Sequence, residues 1–317
     1  MKNKLLRVSF VIWGLLLALL LGVLILSLTG VLHMPFLSWS SSAELIREDT
    51  FDLRDLTGLT VQGRSEDIRV TLVPGDALTV RQYGNPNKDA AFTDSRAAGS
   101  LTLKVPNRNW FDWFNWGEKY LEIELPASYA GNLELSTISG GVHCPDGFQL
   151  RALTLATTSG GIELGACSVD SLTLSTVSGG IRLDTATVTG DANLSVTSGG
   201  VRLGSLSCRS FDIGTVSGHI SVETALSGAG RLHTTSGGIS AAGVAVNGTV
   251  TVSTVSGGVK LSLAPGVNCD LKLSSVSGGL HGNVPLDRNG HKASGTIGTG
   301  GPLLSVSTTS GGITMNG

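Results

Sequence analysis

The tripeptide Ser-Gly-Gly recurs eight times between Ser139 and Gly312, and a ninth, varied copy reads Ser217-Gly218-His219. Successive serines of the nine copies are 20, 19, 20, 19, 19, 20, 21 and 33 residues apart. A fixed period of about 20 residues is typical of solenoid proteins, in which each repeat packs against its neighbours. This repeat constrains the fold more than any other feature of the chain.

Apolar and polar residues alternate on both sides of each glycine pair, as in the segment Leu172–Leu183. Alternation with a period of two predicts two short strands in each repeat, each with one buried side. We expect the glycines to supply backbone angles that let the chain turn between these strands. The period leaves open whether one turn of the solenoid takes about 20 residues or about twice that number.

Two positions of the repeat are apolar in all nine copies and are expected to form two inward-facing ladders. The first ladder consists of Leu135, Leu155, Leu174, Leu194, Ile213, Leu232, Val252, Leu273 and Val306. The second ladder consists of Val142, Ile162, Ile181, Val201, Ile220, Ile239, Val259, Leu280 and Ile313. The residue before each repeat serine is alternately apolar and threonine, with one break where Val276 follows Val255, which indicates a duplicated unit of two repeats.

Residues 8–32 contain no charged side chain and are long enough to span a bilayer at about 1.5 Å per residue of helix. Lys2, Lys4 and Arg7 precede this stretch, whereas acidic residues follow it. The positive-inside rule therefore predicts a single-pass anchor with a cytoplasmic N-terminus and an extracytoplasmic C-terminal domain. The alternative is a cleaved signal peptide, whose apolar core is usually shorter.

We predict an all-β chain: a single-stranded β-solenoid, or β-helix, of about 20-residue Ser-Gly-Gly repeats, with an N-terminal β cap and a transmembrane helix. Residues 1–42 would form the cytoplasmic stub and transmembrane anchor. Residues 43–130 would form a β-rich N-terminal cap with an aromatic loop, and residues 131–317 would form the solenoid repeats.

Five aromatic residues of the predicted cap are candidates for an interaction surface. They are Trp110, Phe111, Trp113, Phe114 and Trp116. This segment could insert into the membrane interface or stack on the sugars of a cell wall. The alternative interpretation is a loop that covers the end of the solenoid and closes its core.

The sequence predicts no catalytic, cofactor-binding or metal-binding residues. Glu163 should lie beside Arg182, with Arg202 one repeat further, as a polar stripe or a solvated face. The four cysteines, Cys144, Cys167, Cys208 and Cys269, occupy different positions of the repeat, so we expect thiols rather than disulfides. The chain has 22 Lys and Arg against 24 Asp and Glu, which argues against nucleic acid as a partner.

Several features together resemble a family of bacterial proteins. They are the phrase Ile123-Glu124-Leu125-Pro126, the Thr-x-Ser-Gly-Gly repeats, and the late Gly298-Thr299-Gly300-Gly301 before the last repeat. The chain is similar to the "putative adhesin" β-strand-repeat family, which includes the LiaG-like envelope proteins. This resemblance implies a β-solenoid in the bacterial envelope, with no established catalytic residues. Members of that family commonly have Asp where this chain has the second glycine.

The sequence therefore predicts a membrane-anchored, extracytoplasmic β-solenoid of the bacterial cell membrane that acts as a non-catalytic, adhesin-like module of the cell envelope or cell surface. Its expected partners are the membrane, through residues 8–32, and a cell-wall polysaccharide or a membrane protein. One alternative is an accessory protein of envelope-stress sensing that acts through a membrane partner. Another is a carbohydrate-active β-helix enzyme, which would need neighbouring carboxylates on one face.

Overall fold

The strands of the repeats stack in register, and they extend through one sheet of 23 strands. The computed structural model describes residues 43–106 and 117–317. The predicted anchor at residues 8–32 and the predicted aromatic interaction surface lie outside the described residues. Within the described residues, no helix is long and apolar enough to cross a membrane. The prediction of an all-β repeat fold is confirmed for this part of the chain.

The strands are numbered in chain order. The first nine are β1 (Glu44–Asp52), β2 (Gly58–Gln62), β3 (Asp67–Val73), β4 (Ala77–Gly84), β5 (Thr93–Ala97), β6 (Ser100–Lys104), β7 (Tyr120–Pro126), β8 (Asn132–Thr137) and β9 (Val142–Cys144). The next seven are β10 (Phe148–Thr157), β11 (Ile162–Leu164), β12 (Cys167–Ser178), β13 (Ile181–Ser198), β14 (Val201–Ser217), β15 (Ile220–Ser236) and β16 (Ile239–Ser256). The last seven are β17 (Val259–Leu263), β18 (Cys269–Ser275), β19 (Leu280–Gly282), β20 (Asp287–Asn289), β21 (Lys292–Ile297), β22 (Leu303–Ser310) and β23 (Ile313–Asn316).

Neighbouring repeats pair as parallel strands, and the pairing gives the length of one turn. In strands β13 and β14, Ile181 lies opposite Val201 and Leu194 lies opposite Ile213. One turn, called a coil below, therefore takes 19 or 20 residues in this part of the chain. The longer turn of about 40 residues, which the sequence left open, is wrong.

The core of the molecule consists of the predicted inward ladders. All nine members of the first ladder are at most 1% exposed, and those of the second are at most 7% exposed. Each buried Leu, Ile or Val contributes about 1.5–3 kcal/mol relative to an exposed side chain. Since one coil buries only a few such residues, the stability of each coil depends on the coils on either side.

The first glycine of each pair is required mainly by close backbone packing. A Cβ atom on Gly160 would lie 1.9 Å from the carbonyl oxygen of Gly140, and the same approach recurs at the next coils. Only Gly199 and Gly237 of these first glycines have φ in the left-handed region, at 149° and 152°. The expectation that glycine is needed for its backbone angles therefore holds at two positions. The lack of space for a Cβ atom explains the first glycine of all nine pairs.

Val196 and Ser275 stand two residues before the serine in two of the nine repeats; in the other seven this residue is a buried threonine that links neighbouring coils. Its hydroxyl donates to the carbonyl oxygen of the first glycine of the preceding coil, as from Thr157 to Gly140 at 2.8 Å and from Thr215 to Gly199 at 2.9 Å. The same hydrogen bond is made by Thr176, Thr234, Thr254 and Thr308. The repeat phrase Thr-x-Ser-Gly-Gly thus describes a contact between coils as well as a turn.

The order of the coils in space differs from their order in the chain at the C-terminal end. Strand β22 pairs with β16 on one side and with β18 on the other. Strand β23 is likewise held between β17 and β19. The coil formed by residues 303–316 is therefore inserted between two coils that precede it in sequence. A hairpin of β20 and β21 covers the outer edge of β18 by antiparallel pairing.

The same exchange occurs at the N-terminal end. Strand β2 lies between β6 and β8, and β3 lies between β7 and β9. The outermost coil is thus made by β6 and β7, although β2 and β3 come first in the chain. Strands β5, β4 and β1 then add antiparallel pairing outside it. Antiparallel strands therefore follow the parallel stack at both ends, and they cover edges that would otherwise be open to pairing.

Candidate functional site

The aromatic residues predicted as an interaction surface, Trp110, Phe111, Trp113, Phe114 and Trp116, lie outside the described residues. The strands that flank this segment in the chain are β6 and β7, which belong to the outermost coil of the N-terminal end. Their role as an interaction surface stays a prediction.

A second surface, which we call the corner ridge, runs along the turn before the glycines. It consists of the nine repeat serines and the residue before each of them, all of which are exposed. In spatial order the preceding residues are Ile138, Thr158, Val177, Thr197, Val216, Thr235, Val255, Thr309 and Val276. The inserted last coil places Thr309 between Val255 and Val276, so the alternation that is broken in the sequence is unbroken in space.

The apolar members of the corner ridge are unusually open to solvent. Their exposed fractions lie between 48% and 69%, with Val276 the most exposed. Because a cross-β step is about 4.8 Å, an apolar side chain recurs about every 9.6 Å along this surface. Hydroxyl groups of serine and threonine fill the steps between them.

The polar stripe predicted after the glycines is present. Glu163 lies opposite His143 and Arg182 in the neighbouring coils, and Arg182 lies opposite Arg202. The predicted juxtaposition of Glu163, Arg182 and Arg202 is therefore confirmed. Two arginine side chains thus stand on adjacent coils, about 4.8 Å apart at the backbone.

The ion pairs along this stripe leave the two guanidinium groups largely open. Glu163 Oε2 lies 3.0 Å from His143 Nδ1, and it forms no ion pair with Arg182. Arg182 Nε lies 3.5 Å from Asp184 Oδ1, and Arg202 Nε lies 3.3 Å from Glu223 Oε1. Neither arginine donates a hydrogen bond to a described residue. Their side chains are 60% and 61% exposed, so each ion pair stabilises the fold by well under about 1 kcal/mol.

Beside the arginines, the second glycines of three coils form a floor without side chains. We call this depression the glycine groove; it is floored by Gly161, Gly180 and Gly200 and bordered by Arg182 and Arg202. Its volume is about 380 Å³. A Cβ atom at Gly180 would find its nearest neighbour at 3.4 Å, so this glycine, unlike the first of its pair, is not excluded from carrying a side chain.

Histidine rings mark both ends of the glycine groove. The ring of His143 covers Gly141, where its Nε2 lies 2.9 Å from the site of a Cβ atom. His219 stands in place of the second glycine in its own coil, and its Nδ1 lies 3.0 Å from the Cβ site of Gly238. The open floor is therefore three coils long.

The backbone N–H groups of this floor are a further feature of the groove. In the coil before it, the N–H of Gly141 donates to Asp67 Oδ1 at 2.8 Å. For each of the three floor glycines, the residue at this position of the preceding coil is another glycine, which has no carboxylate to accept the N–H. The N–H groups of Gly161, Gly180 and Gly200 accordingly have no hydrogen-bond partner among the described residues.

A neighbouring depression of about 470 Å³ brings together three carboxylates, Asp146, Glu163 and Asp184, which the sequence had not grouped. Each of them already has a partner: Asp146 Oδ1 accepts the N–H of Ala166 at 2.6 Å, while Glu163 and Asp184 are in the ion pairs described above. All three are exposed. General acid–base catalysis by a pair of carboxylates favours one that is desolvated, and this arrangement does not provide it.

The four cysteines are free thiols, as expected from their positions in the repeat. Cys144, Cys167 and Cys269 are buried, and Cys208 is half-buried. Burial raises the pKa of the Cys167 thiol to about 12 and that of Cys208 to about 11. Burial also raises the pKa values of Cys144 and Cys269. These side chains are neutral packing groups at physiological pH.

The sequence predicts the two arginines, whereas the glycine groove and its N–H groups without a partner were not predicted. The signal lay in Ser65-Glu66-Asp67-Ile68, which matches the Ser-x-Asp-Ile form of the repeat outside the glycine-containing copies. Alignment of Asp67 with the second glycines of the repeats would have shown that the backbone N–H groups of Gly161, Gly180 and Gly200 have no carboxylate as acceptor. His219, the residue that makes one copy of the motif a variant, marks the end of the groove.

Comparison with solved structures finds similar proteins at low sequence identity. A protein from Parabacteroides merdae described as a putative adhesin is 10% identical over 86% of this chain and 95% of that chain, with a TM-score of 0.46. A second one, from Bacteroides fragilis, is 14% identical over 87% and 98%, with a TM-score of 0.40. A putative cell adhesion protein from Clostridium sporogenes is 8% identical over 87% and 99%, with a TM-score of 0.33. TM-scores below 0.5 are too low to transfer details of structure or function.

None of the curated proteins compared with the chain matches it. The family comparison is decisive by contrast, because Toastrack DUF4097 matches residues 56–316. That range includes all nine repeats and most of the strands before them, so the predicted membership of an adhesin-like β-repeat family is confirmed. The chain belongs to the Toastrack DUF4097 family.

Proposed function

We propose that this chain is a membrane-anchored, extracytoplasmic module of the bacterial cell envelope that binds cell-wall polysaccharide without catalysis. Residues 8–32 would hold it in the membrane with the N-terminus in the cytoplasm. The observation that carries the proposal is the corner ridge, a continuous surface on which apolar and hydroxyl side chains alternate for nine coils.

The spacing of the corner ridge suits a linear glycan. Successive sugars of a β-1,4-linked chain are turned over, so the same face returns once per disaccharide. Apolar side chains about 9.6 Å apart would meet that face at similar intervals, with C–H groups of alternate sugars packed on valine. The intervening Thr and Ser hydroxyls both donate and accept hydrogen bonds, as sugar hydroxyls require.

Individual contacts on such a ridge are weak, and their number supplies the affinity. Each coil offers one short contact, and a rigid row of nine presents them together to one polymer. The carboxylates that a glycan-cleaving enzyme would need are exposed and already partnered, which favours binding over cleavage.

The test is co-sedimentation of the full-length chain, in a nonionic detergent, with insoluble cell-wall polysaccharide. We expect the wild type to sediment with the polymer and the V177K/V216K variant to stay in solution. The control is S168K/S207K, which adds two lysines to the same strands, β12 and β14, at exposed positions away from the ridge. Failure of the wild type to sediment would overturn the polysaccharide as partner and favour a membrane protein, as in envelope-stress sensing.

The aromatic segment is tested in the same assay with the W110A/W113A/W116A variant. Loss of sedimentation in this variant alone, with V177K/V216K unaffected, would move the binding site from the corner ridge to the cap. Retention in the triple variant, with a wild-type circular dichroism spectrum, would leave the aromatic residues as a cover for the end of the stack.

Topology needs a separate experiment. Alkaline phosphatase, which folds only outside the cytoplasm, should be active when fused after residue 317, while a green fluorescent protein exported through the same route should be dark. The reverse result would refute the extracytoplasmic location.

A further inference from the structure

We propose that the glycine groove binds a phosphate group, held by the guanidinium groups of Arg182 and Arg202 and by backbone N–H groups of the floor. This site shares no residue with the corner ridge, although the two adjoin, and it does not depend on polysaccharide binding there. The inference rests on three independent features: the charged wall, the open floor and the closed ends.

The wall is cationic at one place along the stripe. Arg182 and Arg202 lie opposite each other in adjacent coils, so two like charges stand side by side. In their ion pairs with Asp184 and Glu223 the nearest nitrogen is Nε, and the two arginine side chains are 60% and 61% exposed. A guanidinium group carries several donors in a planar fork that matches two oxygens of a phosphate. Two such forks on neighbouring coils can hold one anion from the same side.

The floor supplies donors that do not depend on side chains. The N–H of Gly141 shows what this position binds, since it donates to an oxygen of the Asp67 carboxylate. In the next coils the equivalent N–H groups, on Gly161, Gly180 and Gly200, lack that carboxylate and have no partner among the described residues. Successive backbone N–H groups without an internal partner, on residues that line a depression, can bind an external oxyanion.

The ends of the groove limit what can occupy it. At one end the ring of His143 lies over Gly141, in the coil before the floor, and is paired with Glu163, which lines the groove. His219 closes the other end. The space of about 380 Å³ between them holds a phosphate and the small group esterified to it. The groove opens to solvent along its length, so a phosphodiester chain or a lipid headgroup could also enter.

A phosphate fits the donor set better than a carboxylate does. Two guanidinium groups and up to three N–H groups offer more donors than the two oxygens of a carboxylate can accept. A phosphate diester presents two charged oxygens and two ester oxygens, and a monoester presents three charged oxygens. Free phosphate, a phosphodiester polymer of the wall and a phospholipid headgroup share this chemistry.

The test is isothermal titration calorimetry of the full-length chain in a nonionic detergent. Sodium phosphate and glycerol 3-phosphate are the two titrants. Sodium acetate at the same ionic strength is the comparison. We expect saturable binding of both phosphates, weaker binding of acetate, and a loss of about tenfold or more in R182Q/R202Q, because hydrogen bonds to charged groups are removed. Equal binding of acetate would overturn phosphate as the ligand.

Two further variants separate the groove from general surface charge. G180L keeps both arginines but fills the floor, and it should abolish phosphate binding. R209Q removes another exposed arginine that is paired with a carboxylate, Asp191, and it should bind phosphate like the wild type. The proposal fails if G180L binds normally while its circular dichroism spectrum is unchanged, or if R209Q loses as much affinity as R182Q/R202Q.

The source of the phosphate is distinguished by vesicles. Co-sedimentation with vesicles of phosphatidylglycerol, but not of phosphatidylcholine, and its loss in R182Q/R202Q would identify a lipid headgroup. Binding of glycerol 3-phosphate without binding of such vesicles would identify a soluble or wall-bound ester. A groove variant that loses phosphate but still sediments with polysaccharide would show that the two sites act separately.

Discussion

A methyl group on Gly179 would lie 2.0 Å from the carbonyl oxygen of Gly160, whereas one on Gly180 would have no neighbour closer than 3.4 Å. The two adjacent glycines of one motif therefore have different structural roles. The first allows the backbones of neighbouring coils to touch. The second leaves a floor over which a ligand can lie.

These distances predict opposite outcomes for two neighbouring substitutions. We expect Gly179→Ala to lower the free energy of unfolding by about 3 kcal/mol, because the backbone of two coils must separate. Gly180→Ala should change it by less than about 0.5 kcal/mol. Urea unfolding of the full-length chain in a nonionic detergent, followed by circular dichroism, measures both. Equal losses in the two variants would contradict steric exclusion as the reason for the first glycine.

The threonine ladder predicts a matched pair of variants. Thr157→Val removes a hydroxyl that donates to the Gly140 carbonyl and accepts the N–H of Gly160, and it should cost about 1–2 kcal/mol of unfolding free energy. Val196 occupies the equivalent position between Thr176 and Thr215 and has no hydroxyl. Val196→Thr should therefore be neutral or stabilising by up to about 1 kcal/mol. The same unfolding assay decides, and a clear loss in Val196→Thr would show that its coil lacks the acceptor geometry.

The cysteines predict slow thiol chemistry in the folded protein. Iodoacetamide at pH 8 should modify Cys208 first, because its side chain is half-buried and its pKa is raised only to about 11. Cys167, with a pKa of about 12, should react only on the timescale of unfolding. Mass spectrometry of tryptic peptides after timed labelling gives the order. Faster labelling of Cys167 than of Cys208 would refute the burial of that thiol.

The same thiols make stability depend on pH in a defined direction. In the unfolded chain a cysteine ionises near its ordinary pKa, whereas folded Cys167 stays neutral up to about pH 12. Its contribution is thus fully present below about pH 8.5 and is lost as pH rises toward 12, by about 1.4 kcal/mol per unit at most. Cys167→Ala should show a shallower decline of unfolding free energy over this range than the wild type. Parallel curves for the two proteins would contradict the raised pKa.

The inserted C-terminal coil predicts which serines can be joined. Ser256 and Ser310 are paired in neighbouring strands, so cysteines at both positions should form a disulfide on mild oxidation. Ser256 and Ser277 are consecutive repeat serines in sequence but lie two coils apart, about 9.6 Å, which is too far for that bond. Mobility on a non-reducing gel after cleavage between the two sites distinguishes the variants. A disulfide in S256C/S277C and none in S256C/S310C would mean that the coils stack in chain order.

Much of the fold could be predicted from the sequence because the physical constraint repeats. The two ladders needed only a period and an apolar position, and every residue named for them is buried. The order of the last coils could not be predicted from this pattern, since Leu273 and Val306 fit equally well beside Val252. The one available signal was the break in alternation between Val255 and Val276, which disappears when Thr309 is placed between them.

The candidate site was predictable only in part, for a related reason. Outward side chains such as Arg182 and Arg202 follow from the strand period. The state of a backbone N–H group depends on which residue occupies the coil before it, as the bond from Gly141 to Asp67 shows. That relation becomes visible only when coils are aligned in space. The aromatic segment, which the sequence singled out, lies outside the described residues.

The exchange of coil order at both ends bears on how proteins of this architecture can change in length. Strand β23 lies between two other coils, so a repeat added after it could not stack directly on the coil that precedes it in the chain. The same holds for a repeat added before β2, which also lies between two coils. The middle coils, from β9 to β17, follow one another in space as they do in the chain. Gain or loss of repeats during evolution is therefore expected in this middle part, where one more coil lengthens the corner ridge by about 4.8 Å and leaves both closed ends as they are.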